Sequence, residues 1–477
     1  MNRMQTQTDG RGWDLGPYAS SGVAWWSRYA NPPTRREDSK SQAAFVAVVI
    51  LTFILLLSPQ TWIPALAPLR IAFLTAGAAA AFLLVDRWKR RERLMNLNRE
   101  ALVAAALLVW AFLTLPLSYW PGGSMHVLSD TYLKALVIFW LLANVVTTAQ
   151  RLRFVATTLV LCTVPLAVAA LNNFVKGNLM AGSESVERIV GYQSALASNP
   201  NDLAFMLNLV IPLGIAIFLS TTRPLVRVLC LLVIAFDLLS VILTFSRAGF
   251  LGAATIGLVY FAKLIRRPGS DRSWAFAVAP LVMLSLLLLP SSYVHRIATI
   301  TDVDTDPTGS AQARWRDNLA AADFVMEHPI VGAGIGMDVL ALNQVRGSQW
   351  KQVHNVYLQY AVDLGLPGLL LFLLLLWGVF RAARSSRLRS APIPTLRDLF
   401  YLAEGLEVSL IVFAVAGVFH PVAYHVYFYY IAGLALAARS ATDTAISMTK
   451  ASAEAEFEPV VLHAYGNSRR YIAHQLT

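Results

Sequence analysis

The sequence predicts an all-α polytopic membrane protein of about 12 transmembrane helices, with one large extracytoplasmic loop that contains an amphipathic helix. The first observation behind this is composition. Hydrophobic residues make up 56% of the chain and charged residues 14%, whereas a soluble domain carries roughly 25% charged residues. The second is a mean hydropathy of +0.55. The third is that the apolar residues come in blocks of about 14 to 20 separated by short polar stretches, the pattern of membrane spans. Together they exclude a water-soluble enzyme. As a soluble chain, 477 residues would make about three domains of roughly 150 residues, but one membrane body fits better. The net charge of +11 would suggest nucleic acid in a soluble protein. Here the basic residues flank apolar blocks, so they record orientation and no nucleic-acid partner is expected. Cys162 and Cys230 lie inside apolar blocks, where thiols pack as hydrophobes, and no disulfide is expected.

The first forty residues are polar and basic, and the first apolar block begins only near Gln42, so a cleavable signal peptide is not expected. Spans are expected at 43–58, 71–85, 101–119, 131–148, 154–171, 203–220, 225–244, 249–262, 274–290, 366–380, 401–419 and 426–438. Several are shorter than the roughly 20 residues needed to cross, so they must extend into flanking sequence or meet a thinned bilayer. Lys and Arg near span ends stay cytoplasmic. The short segments on the amino-terminal side carry 22 of them and the opposite short loops carry 4, which places both termini in the cytoplasm. The organisation that follows is a cytoplasmic basic segment 1–42, helices one to nine over 43–290, a periplasmic loop 291–365, helices ten to twelve over 366–438, and a cytoplasmic tail 439–477.

The long loop is too large for a tether between neighbouring helices and is where function should concentrate. Within it Trp315, Leu319, Ala322 and Met326 recur at helical spacing, with Arg314, Asp317 and Asn318 off that stripe, and the pattern ends before Pro329. Such a helix lies on the outer membrane surface or roofs the bundle.

Four candidate positions carry chemistry. Ser246-Arg247-Ala248-Gly249 makes a tight outer turn, with Ser246 suited to an N-cap. The helix start that follows offers unsatisfied N–H groups, and Arg247 adds a forked guanidinium that matches phosphate. The same residues also fit an interfacial arginine that snorkels to headgroups. Arg314 and Arg316 precede the amphipathic stripe and fit either a second phosphate or lipid headgroups. Arg188, before Asn199-Pro200-Asn201, is a supporting substrate-binding candidate, with Glu184 and Glu187 near enough to absorb its charge as a surface pair. His354-Asn355, just before the tenth span, offers an imidazole with a pKa near ~6.5 that can take a proton from a sugar hydroxyl, although a histidine at a span end also serves as an interface residue.

Two patterns are set aside. Gly332-Ala333-Gly334-Ile335-Gly336 has GxGxG spacing without a framing strand and helix, so it reads as tightly turning or flexible backbone rather than a nucleotide loop. Asp302-Val303-Asp304-Thr305-Asp306 resembles the start of a calcium loop, yet Pro307 stands where the loop needs glycine and Ala313 where it needs glutamate. No metal is expected.

Ser246-Arg247, Gly309-Ser310 followed by Arg314, His328-Pro329-Ile330-Val331-Gly332-Ala333-Gly334, His354-Asn355-Val356-Tyr357-Leu358 and Asp363-Leu364-Gly365-Leu366-Pro367-Gly368 together resemble the O-antigen ligase and polymerase superfamily of bacterial envelope glycan assembly, over roughly residues 185 to 380. The resemblance implies a multi-pass enzyme of the bacterial inner membrane, with its active site on the periplasmic side. It would transfer a glycan from an undecaprenyl diphosphate carrier to an acceptor hydroxyl, without metal or other cofactor. Arg247 and Arg314 resemble the family's diphosphate-gripping arginines and His354 its essential histidine. Ser246, Arg316, Asn355, Tyr357 and Arg188 are the accompanying substrate-binding candidates.

A ligase would pass the glycan to lipid A core or another acceptor, whereas a polymerase would pass it to a second carrier-linked repeat. A lipid-linked oligosaccharide flippase is the alternative of a different class, since 12 spans with both ends inside is also a transporter layout. No internal duplication supports it. The intramembrane ionisable residues, Lys134 with Asp130, Asp237, and Glu404 with Glu407, fit either transport or helix contacts.

Overall fold

The computed structural model describes residues 41–93, 98–178, 189, 191–192, 194, 196–267 and 309–473. Among them the chain is helical throughout. The helices in order are α1 (Gln42–Leu57), α2 (Ile71–Lys89), α3 (Arg99–Leu113), α4 (Pro121–Val145), α5 (Ala149–Val175), α6 (Pro200–Ser220), α7 (Pro224–Leu243), α8 (Arg247–Leu264), α9 (Ser310–Glu327), α10 (Asp338–Arg346), α11 (Val356–Ser390), α12 (Arg397–Ala416) and α13 (Val426–Ala473). Seven segments are long and apolar enough to cross a membrane: α2, α4, α5, α6, α7, α11 and Pro394–Phe419, which contains α12. Seven of the expected spans fall on these segments, four more fall on α1, α3, α8 and α13, and the remaining one, 274–290, lies outside the described residues, as does Asp302–Asp306.

Some boundaries move. The fourth span begins at Pro121 rather than 131, because a π-helical stretch, Val127–Tyr132, carries the helix through Asp130. The tenth begins at Val356 rather than 366, and the last helix continues from Val426 to Ala473 without a break.

Alternating helix ends gather at two poles. At one pole, basic residues tie helices together. Arg153 pairs with Asp398, Arg267 with Glu404, and Arg439 reaches Glu100 at 2.7 Å. Lys263 and Arg387 meet Glu407 at 3.2 and 2.6 Å. Glu404 and Glu407 are buried and neutralised by three cations, so they serve as a joint between α8, α11 and α12. Lys134 and Asp130 pair at 2.6 Å across one turn, and Asp237 accepts a hydrogen bond from Thr163 at 2.9 Å.

The core runs along α6, whose apolar window is 94% buried against 17% for the peripheral α2. Close approach to α6 needs small residues. A Cβ on Gly249 would come within 2.7 Å of the Ala204 Cβ, and one on Gly252 within 2.6 Å of Asn208 Nδ2. Asn208 also donates to the Gly249 carbonyl at 2.8 Å, which fixes the first turns of α8 against α6.

At the opposite pole α9 and α10 cover the bundle. The buried face of α9 is Asp317, Ala320, Ala321, Phe324 and Val325. Its apolar members pack with Ala333, Met337, Leu342, Val353 and Val362. The Trp315, Leu319, Ala322 and Met326 stripe points away from the protein. The helix thus roofs the bundle, with the face opposite that stripe. Asp317 can be buried because Arg346, at the end of α10, pairs with it.

Candidate active site

The kink in α11 organises this pole. Gly365 adopts φ 68° and ψ −177° inside the helix, a left-handed value that glycine tolerates without the Cβ penalty of other residues. A Cβ there would also lie 2.2 Å from the Ile330 carbonyl oxygen. The break, and the missing N–H of Pro367, leave three carbonyls without their helical donors. Each finds another: Ala333 N–H donates to Val362 O at 2.8 Å, Gly334 N–H to Asp363 O at 2.8 Å, and the Trp110 indole to Leu364 O at 2.8 Å. Leu366 N–H bonds Pro329 O at 2.8 Å. Gly332, Gly334 and Gly336, all at positive φ, thread the kink. The glycine-rich segment is thus tightly turning backbone, and it explains why HPIVGAG and DLGLPG occur together.

His354 and Asn355 stand where α11 begins. Asn355 Oδ1 accepts from Tyr357 N–H at 3.0 Å and Leu358 N–H at 3.3 Å, the geometry of an N-cap. The Tyr357 hydroxyl donates to the Ala414 carbonyl at 2.7 Å, which ties α11 to α12. The half-buried His354 has Nδ1 2.9 Å from the Gln352 carbonyl. A carbonyl only accepts, so Nδ1 carries the proton and Nε2 the lone pair. Burial first, and the Arg314 guanidinium second, lower the His354 pKa to about 4. The ring is neutral at pH 7.

Arg314 therefore lies close enough for its charge to act on His354, and it acts on His420 as well. His420, buried and stacked on Phe205 with ring centroids 4.4 Å apart, has Nε2 3.3 Å from the Asn201 carbonyl. Burial lowers its pKa to about 4. Its Nδ1 lies 3.1 Å from the Ala416 carbonyl, and sequence reasoning gave His420 no role, because a histidine whose partners are backbone carbonyls carries no side-chain signal. Arg316, two residues from Arg314, is exposed, whereas Arg314 is half-buried. The structure thus separates the two arginines.

The Ser246-Arg247 corner is at the same pole. Thr244, Phe245 and Ser246 turn α7 into α8, with Phe245 in a left-handed φ of 52°, uncommon for a bulky residue. The buried Ser246 caps α8, its Oγ accepting from Gly249 N–H at 3.1 Å. Arg247 is the first residue of α8, and no acid occupies the first turn of α8 or α9. The amides at the helix start and the forked guanidinium of Arg247 are both groups that suit an anion. The corner connects to His420 through Ala204 and Phe205 on α6. Arg188 lies outside the described residues. Among the described residues no group of three His, Cys, Asp or Glu could hold a metal.

No curated protein matches the chain. Residues 229–373, from within α7 through the kink of α11, match the family model described as O-antigen ligase. Over those residues, the match supports the resemblance of this multi-pass membrane protein to the O-antigen ligase and polymerase superfamily.

Proposed function

We propose that this protein is a membrane glycosyltransferase of the O-antigen ligase type, acting on the periplasmic face of the bacterial inner membrane. The donor is a glycan linked to undecaprenyl diphosphate, and the acceptor is a hydroxyl of lipid A core or another glycan or lipid. Twelve spans with both termini cytoplasmic belong to the same proposal. The observation that carries it is His354 with its lone pair on Nε2 and the Arg314 charge beside it.

The reaction is a displacement at the anomeric carbon. The acceptor oxygen bonds that carbon as the bond to the diphosphate oxygen breaks. The acceptor proton passes to His354 Nε2, and the bonding electrons leave with the diphosphate. Arg247, Arg314 and the start of α8 face the charge that grows on the leaving group. One unit-charge pair at about 4 Å and an effective dielectric near 20 is of order 4 kcal/mol before desolvation. Only the part gained beyond ground-state binding accelerates the reaction. No nucleotide is needed, because the donor's diphosphate is the leaving group.

The test is transfer by purified protein in detergent, where no second compartment exists for a transporter to serve. Wild type should move glycan from the carrier to an offered acceptor, and His354→Ala should not. Transfer at the wild-type rate by His354→Ala would refute the role of the imidazole. Offering lipid A core and a second carrier-linked repeat as separate acceptors distinguishes ligation from polymerisation.

A further inference from the structure

We infer that Asp338 is a positioning residue for His354, fixing the backbone immediately ahead of the imidazole from a turn that Asp363 holds in place. Asp338 and Asp363 are both fully buried. Asp363 Oδ2 accepts from Gly336 N–H at 2.9 Å, which seats the turn leading into α10. Asp338, the first residue of α10, accepts from Val353 N–H at 2.7 Å.

Residues 347 to 352 are exposed and Val353 is buried, so the Asp338 bond marks the point where the loop re-enters the protein. His354 is the next residue, and Asn355 then caps α11. The far end of α10 straps the same loop. Arg346 donates to the Lys351 carbonyl at 2.5 Å while pairing with Asp317, three residues along α9 from Arg314. Helix α10 is thereby a bracket between the helix that carries Arg314 and the backbone that carries His354.

A buried carboxylate costs free energy that an apolar residue would not. What it supplies is a directional acceptor at a fixed place. Asp338 acts through the Val353 amide and touches no reacting atom.

This inference rests on His354 being the proton acceptor, as proposed above. The experiment compares Asp338→Ala, Asp338→Asn, His354→Ala and the Asp338→Ala/His354→Ala double variant of the full chain in detergent. The readouts are kcat, donor KM and thermal unfolding. Because misplacement by about 1 Å can cost on the order of 10²-fold, Asp338→Ala should lose about tenfold or more in kcat with donor KM little changed. Asp338→Asn keeps an oxygen for the Val353 amide and should recover most of the rate. In the double variant the loss should not exceed that of His354→Ala alone.

Should Asp338→Ala not fold, Asp338→Glu, which keeps the acceptor but displaces it by one methylene, should show the same fall in kcat. A folded Asp338→Ala or Asp338→Glu variant with wild-type kcat overturns the inference alone if His354→Ala is inactive. A fully active His354→Ala removes the reading beneath it.

Discussion

The His354 imidazole donates through Nδ1 to the carbonyl of Gln352, two residues before it, at 2.9 Å. One local hydrogen bond thus selects the tautomer, and Nε2 is left to receive a proton. The ring's burial and the neighbouring Arg314 act in the same direction, lowering its pKa to about 4.

The first prediction concerns pH. The profile of kcat/KM reports the free enzyme and that of kcat the bound complex. The acid limb of kcat/KM should fall near pH 4 rather than near the ~6.5 of an ordinary histidine. A bound diphosphate brings negative charge toward Arg314 and favours the protonated ring, so the acid limb of kcat should lie higher. Arg314→Gln removes a positive neighbour and should move the kcat/KM limb upward. Acid limbs near 6.5 in both proteins would contradict this.

The kink predicts a contrast between glycines. Gly365→Ala should destabilise by more than the roughly 1–2 kcal/mol of a left-handed residue, because its Cβ would also collide with the Ile330 carbonyl. Gly257→Ala, inside α8 with nothing within 4 Å of the added carbon, should be neutral or stabilising by up to about 1 kcal/mol. Thermal unfolding of both variants in one detergent decides it, and equal melting temperatures would remove the structural role given to the kink.

At the other pole, Glu407→Gln leaves the Lys263 and Arg387 charges without that carboxylate. Breaking a buried pair from one side costs roughly 3–5 kcal/mol, so the melting temperature should drop clearly. Transfer per folded molecule should hold, since this joint is at the far end of the bundle from His354. Loss of transfer without loss of stability would contradict the purely structural role given to that acid.

The sequence made much of this architecture legible, for identifiable reasons. Apolar blocks reveal spans because every residue facing lipid or core must be apolar. A cap such as Ser246 reveals a start because the first amides need acceptors. The orientation of α9 was not legible. In a membrane, protein-facing and lipid-facing sides can both be apolar, so the Trp315–Met326 stripe had the right period and no indication of which face met the bundle. The pairing of Arg346 with Asp317 settled that, and it spans two helices. Asp338 was equally silent and Asp363 showed only as part of a motif, because both serve backbone amides brought near only by the fold. The kink was half visible: Gly365-Leu366-Pro367 signals a break, but not that the glycine-rich segment occupies it.

The central claim is that Arg247 and Arg314, from separate stretches of chain, act on one leaving diphosphate. Single-turnover transfer by Arg247→Gln, Arg314→Gln and the double variant tests it most directly. The account predicts that each single variant loses about 10² to 10³ in rate, as for removal of an oxyanion donor. It also predicts that the double variant loses much less than the product, as for residues that act as a unit. A single variant that keeps the wild-type rate, or losses that simply multiply, would contradict it.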